Sequence, residues 1–146
     1  MTFSTEQNGR KAYNCRNFYR GMRIEVEHWW LQAQRDFSKA EVLYNTKNYD
    51  GVAFYCQQAV EKALKAVILH VQKEKVEGHS LIYLGKSAQV PALFYTMLKK
   101  LSPQYFLSRY PDASEEIPYE LYDQKSANEF MATAREVLLW TKKQLA

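Results

Sequence analysis

Residues 50–72 read DGVAFYCQQAVEKALKAVILHVQ. Apolar side chains stand at 52, 53, 56, 59, 60, 63, 64, 67, 68 and 71. Steps of three and four make a wide apolar stripe, which predicts a helix buried along most of one side. Asp50 occupies the place of an N-cap. No proline and no glycine after Gly51 interrupts the run, so it is long enough for about six turns. Gln57, Gln58, Glu61, Lys62 and Lys65 gather on the other side, with Glu61 and Lys65 in the favourable i, i+4 order. The stretch therefore predicts one helix with two faces: an apolar one for the core and a solvated polar ridge for recognition.

The neighbouring segments fit the same design. Over 22–45, Val26, Trp30, Ala33, Phe37, Ala40 and Tyr44 recur in steps of 4, 3, 4, 3, 4. Such a seam lies along a neighbouring helix at a shallow angle. Arg35, Asp36 and Lys39 fall off it. The short connection 47–49 predicts an antiparallel return. After the second helix, KEKVEGHS (73–80) is a polar loop broken by Gly78. Ser80 caps a short helix over 81–89, and Pro91 opens another that reaches 101. Ser102 and Pro103 restart the chain as a helix. Residues 109–123 hold two prolines and a run of carboxylates without periodicity, yet include Tyr110, Ile117, Tyr119, Leu121 and Tyr122. They predict an ordered strap over the bundle, with Arg109, Tyr110 and Asp112 pinning it to Arg35 or Asp36. A last helix, 124–144, buries Ala127, Phe130, Met131, Ala134, Val137, Leu138 and Thr141. No stretch alternates with period two, so the fold class is all-α: an up-and-down bundle of four to five helices without a sheet.

The chain has 146 residues, the length of one domain able to bury a core without metal or disulfides. Its net charge of +4 sits in residues 1–24, where Arg10, Lys11, Arg16, Arg20 and Arg23 face only Glu6. Basic and acidic side chains cancel over the remainder. The domain organisation is thus a basic N-terminal arm, 1–22, and a helical body, 23–146. The arm also carries Phe3, Tyr13, Phe18 and Tyr19. It can pair with phosphates and bases, or pack its aromatics on the body or on a second subunit. Cys15 and Cys56 form no C-x-x-C pair, and Cys56 falls on an apolar helix face, as a buried free thiol does. No run approaches the roughly 18 apolar residues of a membrane span, and the N-terminus has no apolar signal core. The expectation is a soluble cytoplasmic protein that needs no cofactor. The histidines at 28, 70 and 79 have no metal-ligand spacing.

The segments WLQAQRDFSKAEVL, FYCQQAVEKALKAVIL, GHSLIYL, RYPD and SANEFMATAREVLLW, in this order, resemble the HEPN family (higher eukaryote and prokaryote nucleotide-binding domains). The Q-Q-A-x-E-K-A-x-K-A run at 57–66, followed by His79-Ser80-Leu81, is the most specific part. The resemblance covers 23–145. It implies a helical bundle that forms a homodimer, often as partner of a minimal nucleotidyltransferase in a two-component, toxin–antitoxin-like system. The nucleotide-binding residues it implies are Arg35, Gln57, Gln58, Glu61, Lys62, Lys65 and His79. His79 has a structural alternative, bracing the following helix. Other branches are metal-independent ribonucleases with an R-x(4–6)-H motif on a late helix. No histidine follows His79 here. The one literal match, Arg23 and His28, lies at the start of the first helix. The leading expectation is a non-catalytic module that binds nucleotide or RNA. The alternatives are an endoribonuclease using Arg23 and His28, and a dimeric scaffold without a ligand.

Overall fold

The computed structural model describes residues 18–146, and among them every regular element is helical. Cys15 and most of the basic arm lie outside the described residues. The long helices are α1 (Ile24–Asn45), α2 (Tyr49–Gln72) and α6 (Gln124–Leu145). Three short helices, α3 (Leu81–Ala88), α4 (Phe94–Leu101) and α5 (Gln104–Leu107), separate α2 from α6. Two 3-10 turns, Pro111–Ala113 and Pro118–Leu121, follow α5.

The core is α2 enclosed by α1 and α6. Val52, Cys56, Val60, Ala63, Leu64 and Val67 of α2 meet Val26, Trp30, Ala33, Phe37 and Ala40 of α1, together with Ala134, Val137 and Leu138 of α6. Small residues at 33, 40, 59, 63 and 134 let the backbones approach, and Trp30, Phe37 and Leu64 fill the space between. The start of α1 lies beside the end of α2, since the Arg23 guanidinium donates to the Leu69 carbonyl. At the other end Gln124 Nε2 donates to Tyr44 Oη at 3.2 Å, so α6 also runs antiparallel to α1. Cys56 is free and wholly buried, and burial pushes its thiol pKa up.

Several ends differ from the sequence reading. The cap position of α2 is Asn48 and not Asp50, which sits in the first turn where its charge complements the helix dipole. Neither residue makes a side-chain cap bond. Helix α2 does end where the sequence reading placed it, at Lys73, which takes a left-handed conformation at φ 59° and donates its amide to the Leu69 carbonyl. Lys47 and Gln89 also close helical turns at positive φ. These are positions that glycine usually takes. Val71, on the predicted stripe, is 66% exposed because the last turn of α2 runs past its neighbours. Ser80 does cap α3, its hydroxyl accepting from the Tyr83 amide at 3.3 Å. Gly85 is needed where α3 crosses α4: a Cβ there would stand 2.7 Å from Leu98 Cδ1.

The strap is ordered, but Arg109 does not pin it to α1. Tyr122 Oη donates to Gln104 Oε1, Gln104 Nε2 donates to the Lys100 carbonyl at 3.1 Å, and Pro118 is buried. Burial, and secondarily the charge of Asp50, raises the Tyr122 phenol to about 12. Asp123 then starts α6 with a reciprocal cap: its carboxylate accepts from the Ser126 amide at 2.8 Å and Ser126 Oγ accepts from the Asp123 amide at 3.0 Å.

Two outcomes follow. Leu64→Ala, in the closed centre of α2, should cost about 3 kcal/mol in urea unfolding, whereas Val71→Ala should stay within about 0.5 kcal/mol. The Ser126 bonds hold the Asp123 carboxyl below the ordinary carboxylate range. A lowered folded-state pKa gives stability that is present above the unfolded value and lost as pH falls through the folded one. Asp123→Ala should therefore lower the melting temperature at neutral pH, with the difference from wild type shrinking below about pH 4.

Candidate recognition site

The polar side of α2 is not a solvated ridge. Gln57 is 0% and Glu61 4% exposed, while Gln58, Lys62 and Lys65 are half-buried. The side closes because α1 and the loop before α3 both lean over it, and the polar groups are satisfied by one another. His79 Nδ1 lies 2.8 Å from Glu61 Oε1, and Lys65 Nζ donates to Glu61 Oε2 at 3.3 Å. Gln57 Nε2 donates to the His79 carbonyl at 3.2 Å and to Glu61 Oε1 at 3.4 Å, and Gln58 Nε2 donates to Gln57 Oε1 at 2.8 Å. Four of the ridge residues and His79 are thus one hydrogen-bonded unit.

Lys62 joins a second unit. Its ammonium binds Asp36, which is 1% exposed on α1, and Lys39 and Gln32 reach the same carboxylate at 3.6 and 3.0 Å. The sequence reading set Asp36 off the buried seam of α1. It is buried because it faces Lys62 across the helix pair, where a paired carboxylate is tolerated and an unpaired one is not. Two lysines on one carboxylate leave a surplus positive charge at the α1–α2 edge. Aromatic rings lie against the cations: Lys39 over Tyr55 at 5.2 Å and Lys65 over Trp29 at 5.3 Å.

Beyond His79 stands a column that sequence reasoning missed. The His79 imidazole stacks on Tyr105 with centroids 4.0 Å apart and planes 13° from parallel. The Arg109 guanidinium lies 4.4 Å from the centre of the same ring. Two groups so close to one ring cannot share a face, so Tyr105 is sandwiched between them. Arg109 also covers Phe54 at 4.4 Å and Tyr110 at 4.9 Å, and its Nε donates to the Tyr105 carbonyl at 2.9 Å. This is where Arg109 is spent, in place of the predicted contact with α1. The imidazole is half-exposed, and its Nδ1 is already engaged with Glu61. The available signal was the aromatic run YF at 105–106 three residues before Arg109, but nothing local ties it to His79.

The remaining candidates stand apart. Arg35 is exposed on α1 and forms no hydrogen bond or ion pair among the described residues. Arg23 precedes the first helical residue and is committed to the Leu69 carbonyl, and His28 stands on the next turns of α1. No bond joins Arg23 to His28 among the described residues. Nor do three His, Cys, Asp or Glu side chains group there as a metal site, and no helix is long and apolar enough to cross a membrane.

The two carboxylates are the energetic centre of the site. Asp36→Ala strands the Lys62 ammonium in a half-buried place and should cost about 2–4 kcal/mol in chemical unfolding. The Asp36/Lys62 double-alanine cycle should give a coupling above the roughly 0.2–1 kcal/mol of exposed pairs, at about 1.5 kcal/mol or more.

Comparison with known proteins accounts for this architecture. The family model described as HEPN domain matches residues 26–145. The structure is similar to TT1696 from Thermus thermophilus, with a TM-score of 0.77, 27% identity, and coverage of 84% of this chain and 99% of that one. It is also similar to ST0689, described as an archaeal HEPN homologue, with a TM-score of 0.71, 36% identity, and coverage of 83% of this chain and 98% of that one. No curated protein matches. The matched residues take in α1, the buried polar network of α2, the His79 column and α6, and on that extent the chain belongs to the HEPN family.

Proposed function

We propose that this HEPN domain is a non-catalytic binding module for a nucleotide or a short single strand of RNA. The observation that carries the reading is the His79–Tyr105–Arg109 column beside the surplus positive charge of Lys39 and Lys62. A base extends the column by stacking on the outer face of the half-exposed imidazole, which Glu61 and Tyr105 hold in one orientation. Its phosphates meet the lysines at the α1–α2 edge, and Gln58 offers an amide to the base edge. Every part is a binding element. Phosphodiester cleavage needs a proton-transfer group and a charge-stabilising group set on the same reacting atoms, and Arg23 is committed to the Leu69 carbonyl. Family membership supports the module acting as a homodimer alongside a minimal nucleotidyltransferase, which makes the bound nucleotide that enzyme's substrate or product.

Fluorescent ATP and GTP analogues and a labelled single-stranded RNA test this directly. At least one should bind, with affinity falling as salt rises. His79→Ala should weaken it by about tenfold, the value of one lost stacking contact. Lys39→Ala should weaken it less and flatten the salt dependence. The RNA should survive prolonged incubation in EDTA. Absence of binding by all three probes removes the proposal. RNA cleavage abolished by His28→Ala replaces it with an endoribonuclease.

A further inference from the structure

The strap and the N-terminal arm carry opposite charge on similar apolar surfaces. Between 110 and 124 lie Asp112, Glu115, Glu116, Glu120 and Asp123 and no lysine or arginine. Asp123 is engaged in its cap. The other four are exposed, and none enters an ion pair among the described residues. Tyr110, Ile117, Tyr119 and Leu121 are exposed beside them. Isolated apolar side chains at a surface are ordinary, but four on one short segment make a patch. The arm has the complementary composition: Arg10, Lys11 and Arg16 against Glu6, interleaved with Phe3 and Tyr13.

We propose that the strap is the docking surface for the N-terminal arm of a second copy of this chain. Position in the bundle selects the second copy. The described chain begins at Phe18, which with Met22 borders a cavity shared with His70 and Leu145, at the C-terminal ends of α2 and α6. The strap feeds into α6 at the opposite end, near the start of α2, where Asp50 acts on Tyr122. The length of α2 separates the two ends by about 35 Å, at about 1.5 Å per residue. Seventeen residues precede Phe18. Arg10 and Lys11 lie only eight and seven residues before Phe18, so even fully stretched they reach at most about 29 Å, less than that separation. A two-fold axis perpendicular to the bundle instead places the arm root of each copy beside the strap of the other. The contact is then made twice, and an isologous pair closes without leaving a sticky end. Carboxylates and bases facing each other across a partly apolar seam also steer the two copies into that register.

The test uses the full-length chain in sedimentation velocity and light scattering at about 50 mM and about 500 mM salt. Wild type should be a dimer that weakens at high salt. Glu116→Lys/Glu120→Lys, two exposed strap positions, should weaken dimerisation at low salt by about tenfold or more. Circular dichroism and the melting temperature of that variant's monomer should match wild type. Adding Arg10→Glu/Lys11→Glu to it should restore association, which a merely damaged fold cannot do. A wild-type monomer at low salt overturns the proposal. So does a dimer indifferent to both pairs of substitutions, or an arm that retains single-stranded RNA while self-association stays unchanged by the strap reversal.

Discussion

Two carboxylates held out of water, Asp36 and Glu61, constrain the arrangement of everything around the α1–α2 edge. An ionised carboxylate in the interior is sustained only by cations and donors that reach it in good geometry. Asp36 has Lys62, Lys39 and Gln32; Glu61 has Lys65, His79 and Gln57. Each set draws members from more than one element. Lys62 and Asp36 fix the register of α2 against α1, since a slip of one turn would part them. Glu61 and Gln57 fix the loop before α3 against α2 by holding His79 at its ring and at its carbonyl. The apolar seam brings the helices together, but oily surfaces at helical spacing tolerate several registers. The charged contacts tolerate one.

That constraint passes outward to the strap. With its Nδ1 engaged, the His79 ring has one plane, and Tyr105 packs flat against it. Arg109 closes the other face of Tyr105 and leans on Phe54 of α2, so the chain leaving α5 is tied to the central helix before the strap begins. A guanidinium is suited to this place because it is planar, weakly hydrated and attracted by ring faces. Order in the strap therefore comes from a stacked column anchored on a buried carboxylate, together with Pro118 and Tyr122. The same column supplies the oriented, half-exposed imidazole on which the binding proposal rests. Fold and recognition use one set of residues.

The fold was legible from spacing because its long helices bury continuous stripes: Val26 to Ala40 and Val52 to Ile68 lie in the core, as steps of three and four require. Ser80 was legible as a cap. Asp123 was not, since the box it forms uses Ser126 where the familiar pattern has Glu or Gln. The helix ends at Lys73 and Gln89 fall where spacing placed them, although the left-handed conformation at each is carried by an ordinary residue. Gln57, Glu61 and Asp36 were misread in one way: polarity was taken as exposure. A sequence shows that a side chain is polar, and its burial depends on a partner brought from elsewhere. Lys62 lies 26 positions from Asp36 and His79 lies 18 from Glu61. The Arg109 stack was invisible for the same reason, its partners being spread over α2, α5 and the strap.

The literal R-x(4)-H match has an arginine with a structural use of its own. Arg23 is the residue before α1, with φ −64° and ψ 142°, so its side chain leaves the helix axis before the helical rise begins. It turns to the Leu69 carbonyl in the last turn of α2, which also accepts from the Lys73 amide. A cation at that end is favoured twice, by the hydrogen bond and by the negative pole of the helix. His28, by contrast, stands on the second turn of α1, inside the helix that Arg23 only introduces. An arginine that stands before the start of one helix and donates to the last turn of another ties α1 to α2.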